Sequence, residues 1–303
     1  VRLSKQQIAY LYAGASILAW SSISTAFKLS LQQLCPVGLL FIASISAVLF
    51  LGIAYVFGNR NMQISFAGSW RNIKKSLLPG LLNPFIYYLI LFEAYNRLRA
   101  QEAQALNYTW AIVLALFSIW LLKEKFRWAD LLALLISFLG VVIISTRGQL
   151  RTLNFEDLPG SLMTVSTSVI WAFYWIINIK DNRPALLKLF FNFLVGLLFI
   201  SVYVTLLKIR IFTPGASFYL GLAGGLYVGI FEMGLTFLLW FKAMENTDNT
   251  AKISNLIFVT PFVSLLFIAR ILGESIHPAT FAGLCLIVLS NVVQKLKHHH
   301  FHL

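Results

Sequence analysis

About ten stretches of this chain are each apolar over the roughly 20 residues that a helix needs to cross the hydrocarbon core of a bilayer, and this constrains the fold more than any single motif. They run approximately over residues 8–29, 37–57, 77–94, 103–122, 128–145, 158–179, 185–207, 218–243, 251–272 and 278–293. Inside lipid every backbone N–H and C=O must find its partner within the protein, so apolar stretches of this length fold as helices. Composition agrees: 59% of residues are hydrophobic, 12% are charged and the mean hydropathy is +0.79, where a soluble domain has about half and about a quarter. The expected fold class is an all-α polytopic membrane protein of about ten transmembrane helices. The first apolar segment follows a basic start, is long and lacks a small-residue cleavage site, which reads as a retained span rather than a signal peptide.

A net charge of +13 suggests nucleic acid until the basic residues are placed. They sit at the ends of the apolar runs rather than in one stripe, so no nucleic-acid partner is expected and orientation in a bilayer explains them. Counted on alternate sides, about 16 Lys and Arg fall on the side of the amino terminus, among them Arg71, Lys74 and Lys75, and about 8 on the other. Both termini are therefore expected in the cytoplasm, as for a multi-pass protein of the cell inner membrane. The substantial connector, residues 58–76, carries Trp70 and a basic cluster and reads as a juxtamembrane segment near anionic headgroups.

The chain also repeats itself. Trp20 pairs with Trp171, Pro36 with Pro184, Gly80 with Gly229, Phe92 with Phe241, Ala94 with Ala243 and Glu124 with Glu274, in order and at a nearly constant spacing of about 148 to 151 residues. Residues 1–150 then form a first five-helix repeat and 151–303 a second. An odd number of spans in each half makes the second enter the membrane in the opposite sense, giving two inverted repeats within one integral domain, an arrangement found in many secondary transporters.

One carboxylate, Glu232, lies near the middle of the eighth span, where an acid costs about 2.5 to 3.5 kcal/mol and is expected to face a cavity or a polar partner. Gly225, Gly229, Glu232 and Thr236 follow helical spacing and share a face. That carboxylate is the candidate for binding a cation or carrying a coupling proton; the bland alternative is a hydrogen-bonded structural acid. Matching Gly80 to Gly229 places Asn83 on Glu232 and Tyr87 on Thr236, so the third span offers a related, neutral face. Pro84 and Pro261 each remove a backbone donor. Trp20 on the first span, Trp171 and Tyr174 on the sixth, Asn107, Tyr108 and Trp110 on the fourth, and Asn255 on the ninth complete the candidate substrate-binding set. Single hydroxyls such as Ser16, Thr164 and Thr167 read rather as helix–helix contacts, and Glu124 and Glu274 as caps or ion-pair partners beside connectors.

Enzyme chemistry has no visible carrier: there is no Walker A loop, HExxH or GxSxG elbow, and no cofactor or metal is expected. Cys35 and Cys285 suggest neither a disulfide framework nor a thiolate site. His298, His299, His300 and His302 form a short tail that plays no part in the functional reading.

With these residues in hand, the chain resembles the drug/metabolite transporter superfamily, specifically its EamA-type ten-helix exporters. The likeness rests on AQEAQALNYTWAIVLALFSIWLLKEKFRWADLLALLISFLGVVIIS, with Asn107, Tyr108, Trp110 and Glu124, and on AKISNLIFVTPFVSLLFIARILGESIHPATFAGLCLIVLS, with Thr260, Pro261, Gly273 and Glu274. Where the family's first repeat has a proline after Asn-Tyr-x-Trp, this chain has Ala111, which removes the usual cause of a kink. The resemblance implies a central cavity lined by the first, third, fourth, sixth, eighth and ninth helices and passage of amino acids, other small metabolites or cationic drugs. The resulting expectation is a secondary transporter, working outward by alternating access on a small metabolite, as a monomer or homodimer, with protons as a candidate coupling ion. An intramembrane enzyme or a membrane receptor or scaffold are the alternatives from other classes.

Overall fold

The computed structural model describes residues 4–58, 66–121, 128–151, 157–247, 253 and 256–299, and the regular elements among them are helical. In chain order they are α1 (Lys5–Leu31), α2 (Pro36–Gly58), α3 (Phe66–Gly80), α4 (Tyr87–Arg97), α5 (Ala100–Asn107), α6 (Trp110–Leu121), α7 (Trp128–Ser145), α8 (Leu158–Ile179), α9 (Ala185–Leu206), α10 (Phe218–Tyr227), α11 (Thr236–Asn246), α12 (Thr260–Phe267) and α13 (Pro278–His299). Wider π-helical turns over Leu81–Ile86, Val228–Leu235 and Ile268–Leu272 interrupt or end three of the spans. Among the described residues six helices are long and apolar enough to cross a bilayer: Pro36–Phe57, Trp70–Arg97, Ala100–Leu121, Leu158–Ile179, Ala185–Leu206 and Phe218–Asn246. Leu131–Ser145, Ile257–Leu272 and Pro278–Val292 are shorter and apolar, and α1 adds a helix of 27 residues. The chain is an all-α polytopic membrane protein.

Local sequence explains the helix ends. Ser4 and Gln7 close a reciprocal capping box at α1, Ser4 Oγ accepting from Gln7 N–H at 3.2 Å and Gln7 Oε1 from Ser4 N–H at 2.8 Å. At α8 Asp157 accepts from Gly160 N–H at 2.7 Å, with Pro159 in the first turn where no donor is needed.

In two places the helices differ from the sequence reading. The connector at 58–76 is largely helix: α3 starts at Phe66, ahead of the apolar run, and leads into the third span. Its Asn72–Ser76–Gly80 side docks on α9, and packing of one face fixes a helix that apolar length alone does not announce. The fourth span is broken at Tyr108–Thr109, although Ala111 stands where a proline was looked for. There the bonds tighten, Tyr108 N–H to Ala105 O at 3.3 Å and Thr109 N–H to Leu106 O at 3.2 Å, and the Thr109 hydroxyl takes the Leu106 carbonyl at 2.8 Å.

The helices pack as two compact units, and neither is one of the sequence halves. The first comprises residues 1–92 and 182–272 and the second 93–181 and 273–303, so each draws on both. In the first unit α1 lies beside α11 and α12, α2 beside α9 and the Val228–Leu235 turn, and α3 beside α9. In the second, α7 packs on α13, and α8 lies along α5 and α6. Gly273, at φ +68°, turns the chain so that Glu274 caps α5, accepting from Ala100 N–H at 3.0 Å and from the Gln101 side chain at 3.3 Å. Glu274 is therefore a cap, as its position beside a connector predicts; Glu124 lies outside the described residues.

Candidate functional site

The eighth span carries its acid on an irregular turn. From Val228 to Leu235 the backbone widens into a π segment and then resumes as α11. Such segments occur often at functional sites because the wider ring changes which side chains share a face. That change divides the four residues whose spacing suggested one face. Gly225 and Gly229 face α2, where a side chain at Gly229 would collide with the Ala43 carbonyl and the Ser46 hydroxyl. Thr236 is fully buried, its hydroxyl donating to the Phe231 carbonyl and its own carbonyl lying 3.5 Å from Ser16 Oγ. Glu232 turns elsewhere: Tyr88 O–H of α4 donates to its Oε1 at 3.0 Å.

Glu232 has no other hydrogen-bond or ion-pair partner among the described residues and remains partly exposed. Rings surround its phenol partner. Tyr88 meets Tyr87 edge-on at 4.8 Å and lies 5.3 Å from Phe92, which in turn meets Phe27 of α1 at 4.8 Å. On the acid's own helix Phe231 stacks on Tyr227 at 4.6 Å, and the Tyr227 hydroxyl is 2.7 Å from that of Ser22. Trp20 lies against Phe237 and Trp240, each at 5.6 Å, in the same unit. A carboxylate with one oxygen held by a phenol, the other unengaged and rings close by can take up a proton or face an organic cation.

The third span is interrupted at the matching place. Asn83 leaves helical geometry at φ −144° and ψ 118°, and Pro84 follows it. The Pro84 ring fills the space beside Gly196 of α9, where any side chain would strike it. Asn83 is 1% exposed, and its Oδ1 has no hydrogen-bond partner among the described residues. Tyr87, chosen from the repeat register, is buried and meets the ring of Tyr88, the acid's partner, at 4.8 Å. The Leu81–Ile86 turn shifts the face by about one residue, which brings Tyr88 into place. Tyr88, and the Ser22–Tyr227 pair, are the residues that sequence reasoning missed; the adjacent tyrosines were the available signal.

In the second unit the break in the fourth span is tied to α8. Asn107 Nδ2 donates to Thr167 Oγ1 at 3.0 Å, Thr109 and Ser168 hydroxyls are 2.8 Å apart, and Ser168 donates to the Asn107 carbonyl at 3.2 Å. The Tyr108 carbonyl accepts from Asn291 Nδ2 at 3.3 Å, while the Tyr108 and Trp110 side chains are half-buried. Trp171 is half-buried between Tyr174 at 5.7 Å and Trp175 at 6.0 Å, with Tyr174 itself buried. Asn255 lies outside the described residues. Among the described residues no group of three or more His, Cys, Asp or Glu is placed to hold a metal ion.

Comparison with known proteins follows the same lines. A transporter from Archaeoglobus fulgidus, named only as uncharacterized, is 23% identical over 297 residues, covering 96% of this chain and 98% of its own. The aromatic amino acid exporter YddG of Ancylobacter novellus is 24% identical over 211 residues, 69% of this chain and 71% of that one. A solved crystal structure superposes with a TM-score of 0.64 over 97% of this chain and 99% of the other at 21% identity, a likeness of fold. The model of the EamA-like transporter family matches residues 7–146 and again 158–293. With both stretches matched, this multi-pass membrane protein belongs to the EamA-like transporter family.

Proposed function

We propose that this protein is a secondary transporter that moves a small amphipathic metabolite, such as an amino acid or an amine, outward across the inner membrane. Two inverted five-helix repeats, 1–150 and 151–303, alternate access to the substrate, with both termini in the cytoplasm. Glu232 is its polar anchor and the group that exchanges a coupling proton. The observation that carries this reading is the half-engaged carboxylate, partly exposed in a span and bonded to Tyr88 at 3.0 Å, because an unneeded acid at such a depth is costly. In the first unit Asn83 and Tyr87 support that anchor by holding Tyr88, with Trp20 and Thr236 as further candidate contacts; in the second unit, taken by itself, the candidate contacts are Asn107, Tyr108, Trp110, Trp171 and Tyr174. The exporter of Ancylobacter novellus favours aromatic amino acids as the first substrates to try.

The experiment is flux in liposomes that contain only the purified protein, loaded in turn with radiolabelled aromatic, aliphatic and cationic amino acids. Efflux of at least one class above empty liposomes, driven by a proton gradient, is the expected result. Absence of flux for every class, with the protein folded and correctly inserted, would sink the reading in favour of a receptor or scaffold.

A further inference from the structure

The segment that the sequence left as a connector carries a built surface of its own. Among the described side chains of α3, the exposed ones are Trp70, Arg71, Lys74, Lys75, Leu77 and Leu78, and at 3.6 residues per turn they occupy one face. The opposite face is docked on α9. Gly80 abuts the backbone of Asn192 and Gly196, and Arg183 reaches across to donate to the Asn72 carbonyl at 3.1 Å and to Ser76 Oγ at 3.0 Å. The helix is therefore fixed in rotation, with its cations turned outward. Lys74 lies 5.3 Å over the Trp70 ring, while Arg71 and Lys75 have no hydrogen-bond or ion-pair partner among the described residues. Within the sequence around them, no Asp or Glu occurs before Glu93.

The spacing along the axis matches a bilayer leaflet. From Arg71 to Lys75 the helix rises about 6 Å, close to the roughly 5 to 7 Å of polar headgroup on each side of a 30 Å core. Leu77 and Leu78 then begin the lipid-facing apolar stretch. Tyr88 lies further along the same span, beyond the Leu81–Ile86 turn and toward the core of the bilayer, which is where its bond to Glu232 is expected to act. The cations thus fall at headgroup level on the side that the basic loops assign to the cytoplasm.

We propose that the exposed face of α3 from Trp70 to Leu78 is a binding site for an anionic phospholipid, with Arg71, Lys74 and Lys75 on the headgroup phosphate and Leu77 and Leu78 along its acyl chains. Trp70 anchors the level of the site in the interface, as aromatic residues do. Because α3 leads through the Leu81–Ile86 turn into α4, the bound lipid steadies the segment that presents Tyr88 to Glu232.

The test uses the full-length protein in vesicles of phosphatidylcholine alone and of phosphatidylcholine with phosphatidylglycerol. Each basic residue near a charged surface contributes roughly fivefold in affinity, so the triple variant R71Q/K74Q/K75Q is expected to lose phosphatidylglycerol retention by roughly a hundredfold in native mass spectrometry. The wild type should melt several degrees higher with phosphatidylglycerol than without, and the triple variant should melt alike in both. Lys75→Gln repeats the comparison in a smaller, roughly fivefold step if the triple variant does not fold. Equal phosphatidylglycerol retention by wild type and variants overturns the proposal. So does full stabilisation of the detergent-solubilised wild type by millimolar inorganic phosphate, which identifies a site for a soluble anion instead of a lipid.

Discussion

The third and eighth spans are interrupted at corresponding places, yet the two interruptions are resolved in opposite ways. In the third, Asn83 leaves the helix, Pro84 withholds a donor, and the gap is closed by packing, with the proline ring seated against Gly196 and Asn83 buried. In the eighth the π segment stays helical, there is no proline, and the side chain at the centre is an acid that remains partly exposed. The comparison teaches that similar interruptions in two membrane helices can bury one central residue and leave the other partly exposed. One is a joint between helices. The other presents an ionisable group that stays partly exposed, and the joint contributes to it by carrying Tyr88 to the acid.

The sharpest way to break this contrast is to exchange the two central residues for neutral ones and measure flux in proteoliposomes. Glu232→Gln keeps shape and hydrogen bonding but cannot titrate. A charge-assisted interaction of about 1.5 to 3 kcal/mol corresponds to a roughly ten- to hundredfold fall in proton-driven accumulation, together with loss of the pH dependence of transport. Asn83→Ala should leave transport within about threefold, its cost appearing in stability. Equal losses in the two variants would make both interruptions functional or both structural, and the contrast would disappear.

A smaller effect should separate the neighbouring tyrosines. Tyr88→Phe removes the hydroxyl that holds Glu232 Oε1, and a roughly tenfold change in substrate affinity is expected, the lower end of the range for one hydrogen bond to a charged group. Tyr87→Phe retains the ring that packs on Tyr88 and should change affinity less than twofold. A larger effect from Tyr87→Phe would restore the register inferred from the repeat and remove the one-residue shift assigned to the π turn.

The least effect on transport is expected from a carboxylate whose task is structural. The Gly160 N–H holds the Asp157 carboxyl below its ordinary value near 3.8, with burial opposing and the Arg97 guanidinium at 3.1 Å assisting. A depressed carboxyl stabilises the fold fully above its unfolded value, and that contribution is lost as pH falls through the lower, folded one. Asp157→Ala should therefore cost about 1 kcal/mol of stability near neutral pH, as for a lost helix cap, with flux unchanged and the difference from wild type shrinking below about pH 4. A transport defect in this variant would show that flux assays report stability as well as function, and the result at Glu232 would need a matched stability control.

Much of this protein was settled by its sequence. Long apolar runs leave a chain no choice but membrane helices, because lipid offers no partner for an unpaired backbone group, and Glu232 stands out for the same reason: burying an acid is expensive enough to be conspicuous in one dimension. Capping residues such as Ser4 and Asp157 are legible because they act within a turn. The place of Glu274 beside a connector suggests a cap or an ion pair, but the helix it caps, α5, lies 174 residues away in the chain and only the fold supplies it. Only the tertiary structure decided how the faces of those helices are used. The break at Tyr108–Thr109 without a proline, the helical start of the third span, and the choice of Tyr88 over Tyr87 each depend on a neighbouring helix or on a widened turn. Such a turn moves every later side chain around the axis by a fraction of a turn, and neither residue spacing nor hydropathy records that rotation.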